Sequence, residues 1–136
     1  MTKKTGIRNT AQQKVIRQVF DLADGPLTAG QAHELARQKR SHIGIATIYR
    51  AIRRMLDEGA LRTVLIPGEC AYYELNGPSH HHYFHCCACG KVYVIGACPS
   101  VIKKMTPPGF VHERHDIVLH GQCNVCRSGA AFVGRY

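Results

Sequence analysis

Two Cys-x-x-Cys pairs, Cys86-Cys87-Ala88-Cys89 and Cys123-Asn124-Val125-Cys126, constrain this chain more than any other feature. In each pair the outer thiols sit three positions apart, so a single turn aims both sulfurs at one point. Two such pairs supply four thiolates, the donor set of a closed tetrahedral structural zinc site. A pair of disulfides or a few buried free thiols are the plainer alternatives. Repeated CxxC spacing in a chain with no secretory signature favours zinc. Thirty-three residues separate Cys89 from Cys123, so the metal would tie the end of the chain back onto its middle.

A length of 136 residues makes one medium domain or two small ones. Neither half buries much core alone, which makes a metal staple physically useful. No apolar run reaches membrane-spanning length, and Met1-Thr2-Lys3-Lys4 lacks the apolar core of a signal peptide. A cytoplasmic protein with reduced thiols and no membrane partner is expected. Eighteen Lys and Arg against nine Asp and Glu leave a net charge of +9, a balance that favours polyanions such as nucleic acid over mere solubilising charge only if the charges are suitably placed. Twelve of the eighteen lie at or before Arg62.

That first half reads as helices and a hairpin. Thr10 to Ala23 puts Val15, Ile16, Val19 and Phe20 on one stripe, with Thr10 as N-cap and Gly25-Pro26 as stop. Thr28 caps a second helix from Ala29 to about Gln38. A basic turn, Arg37 to His42, precedes a third helix that Gly59 ends as C′. Ile48, Ile52, Met55 and Leu56 form its apolar stripe, while Thr47, Tyr49, Arg50, Arg53 and Arg54 decorate its other faces. Leu61 to Ile66 and Cys70 to Leu75, split by Pro67-Gly68-Glu69, predict a hairpin. Together these describe a winged helix-turn-helix over residues 1–75. Its third helix would enter the major groove of double-stranded DNA, with Arg62 of the wing adding a phosphate contact. Singly, a basic helix face is a solvated face and Tyr49 a core residue; the arrangement is what points to DNA. His33 reads as structural or surface, and His42 as a neighbour of phosphate.

Residues 76–79, Asn-Gly-Pro-Ser, form the expected hinge. From 80 to 136 the density of soft ligands rises, beginning with His80, His81, His82, His85, Cys86, Cys87 and Cys89. Strands are expected at Tyr83 to Cys86, Lys91 to Ile95 and His115 to Gly121, with a short helix at Val101 to Met105. This half is a small α/β domain, which makes the whole chain α+β. In an extended segment His80 and His82 point to one side and His81 to the other, so one tripeptide could serve two metal sites; a His-rich surface turn is the alternative.

Arg8-Asn9-Thr10-Ala11-Gln12-Gln13, Gly44 to Arg50, Tyr73-Glu74-Leu75, the His80-His81-His82 run before Cys86-x-x-Cys89-Gly90-Lys91, Gly109-Phe110, and His115 to Cys126 occur in the order of the ferric uptake regulator family. The resemblance covers nearly the whole chain. It implies a winged-helix DNA-binding domain, a C-terminal dimerisation domain and a homodimer that represses transcription when a regulatory metal is bound. It implies structural zinc on Cys86, Cys89, Cys123 and Cys126. It places Tyr49 and Arg50 at base edges and phosphates, with Thr47, Arg53 and Arg8 as further DNA contacts.

The family's further sites are altered here. One usually combines alternate His/Asp residues of the run, an acidic residue of the following helix and a His of the last strand. The matching residues are His80, His82 and His115. If the shortening of the chain falls around Ile95-Gly96-Ala97, Cys98 replaces the acidic ligand; if it falls elsewhere, Val101 does and a ligand is lost. Three imidazoles and a thiolate suit zinc, with nickel, iron or manganese as alternatives. The second usual site keeps only Glu74 and His81, which argues against a peroxide sensor. Cys70, Cys87, His85, His112, Glu113 and His120 are left without a role. A zinc enzyme would need a Glu or Asp base beside an open metal position, and neither Glu74 nor Glu113 falls in such a motif. A metal-buffering module would explain the His and Cys but not the winged helix.

Overall fold

Three apolar stripes in the first half become three helices around one core. The structure, a computed structural model, describes residues 2–77 and 80–129, with residues 2–9 described by backbone alone. It divides into two units, Met1–Gly77 and Pro78–Tyr136. Two residues of the expected hinge, 78 and 79, and the terminal residues 130–136 lie outside the described residues.

The first unit contains α1 (Thr2–Leu22), β1 (Leu27–Thr28), α2 (Ala29–Lys39), α3 (Ile45–Asp57), β2 (Leu61–Val64) and β3 (Tyr72–Leu75). The strands form an antiparallel sheet in the order β1-β3-β2. Ile16, Val19 and Phe20 of α1 meet Ala32 and Ala36 of α2 and Ile48, Ala51, Ile52 and Met55 of α3 in one buried cluster. Each large side chain buried there contributes roughly 1.5–3 kcal/mol. This unit is a winged helix-turn-helix.

Local chemistry sets its joints. Thr28 and Gln31 form a reciprocal capping box at the start of α2. At the end of α3, Gly59 takes φ +77°. Its amide reaches Leu56 O at 3.1 Å while that of Ala60 reaches Met55 O at 2.8 Å, the paired bonds of a Schellman stop. His33 Nε2 lies 2.9 Å from Ile43 O, pinning the turn between α2 and α3. Thr10, by contrast, is no N-cap: α1 begins at Thr2. Between the two Gly6 disfavours helix most, at a cost of about 1 kcal/mol relative to Ala. Strand β1 was not expected, because two residues carry no periodicity.

The second unit contains β4 (His82–Cys86), β5 (Val92–Ile95), α4 (Val101–Lys104), β6 (Val118–Gly121) and α5 (Asn124–Arg127). Its sheet order is β5-β4-β6, with β5 antiparallel and β6 parallel to the central β4. The last strand is shorter than expected. His115, Asp116 and Ile117 precede it as irregular chain, and the alternation there reflects contacts of a loop. Gly90 at φ +78° closes the knuckle between β4 and β5, with its amide 2.9 Å from Cys86 O. No described helix is long and apolar enough to cross a membrane.

Candidate metal centres and nucleic-acid face

Cys86 ends β4, Cys89 lies in the knuckle, Cys123 caps α5 and Cys126 sits within it. Their four sulfurs lie within 4.8 Å of one another. All four are free thiols, and Cys89 Sγ and Cys123 Sγ stand 4.0 Å apart. A disulfide needs about 2 Å, whereas four sulfurs at Zn–S distances of about 2.3 Å lie nearly 4 Å apart. Backbone amides already aim at the sulfurs: Cys123 N reaches Cys86 Sγ at 3.3 Å and Cys126 N reaches Cys123 Sγ at 3.5 Å.

The thiols are electrostatically split. The Tyr93 hydroxyl and then the Cys126 amide pull Cys123 down to about 6. Burial pushes Cys126 up to about 12 and also raises Cys89. Burial opposes ionisation of Cys86 too, but the amides of Cys89, Cys123 and Ala88 outweigh it and leave its pKa lowered. Four such sulfurs carry their full negative charge together only around a cation. The donor set therefore fits a thiolate-bound zinc.

A second group joins His80, His82, Cys98 and His115, again with ligand atoms within 4.8 Å. Cys98 Sγ lies 2.9 Å and His80 Nε2 3.4 Å from His115 Nε2. His82 is 2% exposed, and its Nε2 is the buried side-chain nitrogen or oxygen found without a hydrogen-bond partner among the described residues. Its pKa is lowered, first by burial and then by His80 and His115. A desolvated, neutral imidazole with an unused nitrogen fits a metal ligand. The outer nitrogen of His115, Nδ1, lies 3.1 Å from His112 Nε2, so His112 can set its tautomer as outer partners of ligating histidines do. Sequence spacing gave His112 no role, because its meeting with His115 depends on the bend of an irregular loop. Cys98 stands at the site, while Val101 in α4 is 53% exposed.

The other expected ligands are engaged locally. Glu74 in the first unit accepts from Arg62 Nε at 2.8 Å, across a register pair of β2 and β3. The Arg62 guanidinium, expected at a phosphate, is paired with that carboxylate in this unit. In the second unit the His81 ring packs edge-on against Tyr83, 5.3 Å between centroids. Within its own unit, neither Glu74 nor His81 joins a described cluster of donors.

Helix α3 buries Ile48, Ala51, Ile52 and Met55 and turns Tyr49, Arg50, Arg53 and Arg54 outward. Tyr49 is 56% exposed, and so is not core. Arg50 Nη2 donates to Thr47 Oγ1 at 3.3 Å. The Arg8 side chain lies outside the described residues.

The ferric uptake regulator family model matches residues 4–120. The ferric uptake regulation protein of Bordetella parapertussis is 30% identical over 132 residues, covering 93% of this chain and 94% of that protein. The zinc uptake regulation protein of Mycobacterium tuberculosis is 29% identical over 129 residues, covering 90% and 97%. The crystal structure of FurB, a zinc uptake regulator from M. tuberculosis, matches with a TM-score of 0.53 at 25% identity, covering 92% of this chain and 99% of that one. With the family pattern running through most of its length and through both units, the chain belongs to the ferric uptake regulator family and is a metal-responsive transcriptional regulator, not an enzyme.

Proposed function

We propose that the protein is a zinc-responsive repressor that acts in the cytoplasm as a homodimer on double-stranded DNA. In this reading Cys86, Cys89, Cys123 and Cys126 hold a structural zinc, and His80, His82, Cys98 and His115 hold the regulatory one. The observation that carries it is the convergence of three imidazoles and a thiol, one of the imidazoles being that of a buried His82 whose Nε2 has no partner. Among the described residues no carboxylate joins that set. Soft and borderline donors favour zinc over manganese or iron, with nickel the nearest competitor. Similarity to the M. tuberculosis zinc uptake regulation protein points the same way.

His80 lies just after the junction of the two units, whereas His82 begins the central strand of the second and Cys98 and His115 lie in its loops. A divalent ion ligated by all four would cross-link the start of the second unit to its body. That restricts the directions in which the chain leaves toward the winged helix, a shift of population rather than a new fold. Thr47, Tyr49, Arg50 and Arg53 on α3 would then meet the DNA major groove, twice over in a symmetric dimer. The exposed Val94, Val101, Met105, Phe110, Val111 and Leu119 of the second unit supply apolar surface for a second copy to cover. Glu74, committed to Arg62, is given no share in this switch.

The test selects binding sites from a random duplex pool with and without zinc, then compares wild type with Cys98→Ala. Zinc should raise the affinity of wild type for the selected site by roughly 5–150-fold, the usual range of allosteric coupling. Cys98→Ala should keep its fold and lose most of that gain. An unchanged zinc response would remove Cys98 from the regulatory site, and a response to nickel, iron or manganese but not zinc would overturn the choice of metal.

A further inference from the structure

A third group of ligands lies outside both of these sites. His85, Cys87 and His120 bring ligand atoms within 4.8 Å of one another. The placement follows from strand geometry. His85 and His120 are register partners in the parallel pair of β4 and β6, so their side chains leave the same face of the sheet. Cys87 is two residues past His85 and shares its parity. Its amide bonds Gly121 O at 2.7 Å, which carries the ladder one step beyond the strand and keeps Cys87 on that face. Cys86, of opposite parity, goes to the four-sulfur cluster. The doubled cysteine in Cys86-Cys87-Ala88-Cys89 thus sends one sulfur to each side of the sheet.

His85 Nδ1 stands 3.2 Å from His120 Nδ1 and 4.0 Å from Cys87 Sγ. Two imidazoles bound to a tetrahedral ion at Zn–N distances of about 2.05 Å are separated by about 3.3 Å. A ring nitrogen has a single lone pair or proton and can serve both neighbours only by sharing it, whereas an ion between the three atoms engages a lone pair from each. His85 is 3% exposed, while Cys87 and His120 are exposed. The group is therefore rooted in the fold on one side and open on the other.

We infer that His85, Cys87 and His120 form a third metal site for a thiophilic d¹⁰ ion, Zn²⁺ or Cu⁺, with three protein ligands and a coordination position open to solvent. Two imidazoles with one thiolate suit both ions and no hard cation. The open position separates it in kind from the two four-donor sets. Exchange there is faster than at a closed site, and an external thiol can complete the shell.

The test counts metal on the full chain. Wild type, Cys87→Ser and His120→Ala are loaded with Zn²⁺ against a competing chelator, and in parallel with Cu⁺ under anaerobic conditions. Circular dichroism and retention of the four-sulfur zinc check folding. The inference expects one equivalent more in wild type than in either variant. It also expects that equivalent to be the first removed by chelator and to weaken in the variants by more than the roughly 10–100-fold that loss of an outer-shell partner costs. Loss with zinc assigns the site to Zn²⁺, and loss with copper alone assigns it to Cu⁺. Equal metal content in all three proteins with both ions, or loss in one variant but not the other, would overturn the three-ligand site. Should Cys87→Ser misfold, because its neighbour Cys86 is disturbed, His120→Ala decides alone.

Discussion

At the scale of single residues, His82 shows most sharply how burial and chemistry are set against each other. A buried nitrogen without a partner costs about 1–3 kcal/mol, and His82 Nε2 is such an atom. Replacing the ring with an apolar one of similar shape removes that cost. His82→Phe should therefore leave the metal-free protein as stable as wild type or about 1 kcal/mol more stable in urea unfolding, yet bind one zinc fewer. A metal-free variant destabilised by several kcal/mol would mean that His82 is held by packing and not poised for a ligand. The convergence around His82 was only partly legible in the sequence. The family resemblance leaves two residues, Cys98 and Val101, as candidates for the ligand position beside His115. Only the path of the irregular chain after β5 sets Cys98 Sγ 2.9 Å from that ring.

Elements were more legible than contacts, and the reason is local energetics. The boundary of α2 follows from Thr28 and Gln31, whose mutual bonds of 3.0 Å satisfy two amides at the helix start. Thr28→Ala should lower stability by about 1 kcal/mol in denaturant unfolding, with a clearly smaller loss for Thr28→Ser. The outward face of α3 follows from its apolar period, which leaves Arg50 and Arg53 to solvent. Arg50→Ala should weaken binding to a selected duplex and lower the salt dependence of that binding by about one counterion; an unchanged salt slope would move its contact from phosphate to base. Where local signals fail, the element is set by long-range pairing. Strand β1 exists because Leu27 and Thr28 pair with Tyr73 and Tyr72, and two residues cannot announce that.

Taken over the whole molecule, each unit answers the problem of small size differently. The first has a continuous apolar cluster drawn from three helices. The second buries a sulfur-centred cluster of Cys86, Cys123 and Cys126 with Phe84, Ala88 and Tyr93 against it, a core that a metal would complete. Cys123→Ser should therefore lose zinc and unfold the second unit while the first keeps its helical signal, observable as loss of β4–β6 amide protection in hydrogen exchange. A fully folded variant with normal zinc would show that the sulfurs are dispensable to the core. The same dependence predicts that strong chelation lowers thermal stability of the second unit first.

The sequence alone determined the classes of element, the winged-helix half, the pairing of two CxxC motifs and the His-rich run, because periodicity, caps and ligand spacing act within a few residues of one another. The tertiary structure decided which distant donors meet. The parallel pairing of β6 on β4 puts His120 beside His85, and the loop before β6 brings His115 to Cys98 and His80 with His112 behind it. These encounters join residues up to thirty-five apart in the chain. They depend on register and loop path, which are properties of the packed sheet and not of any local stretch.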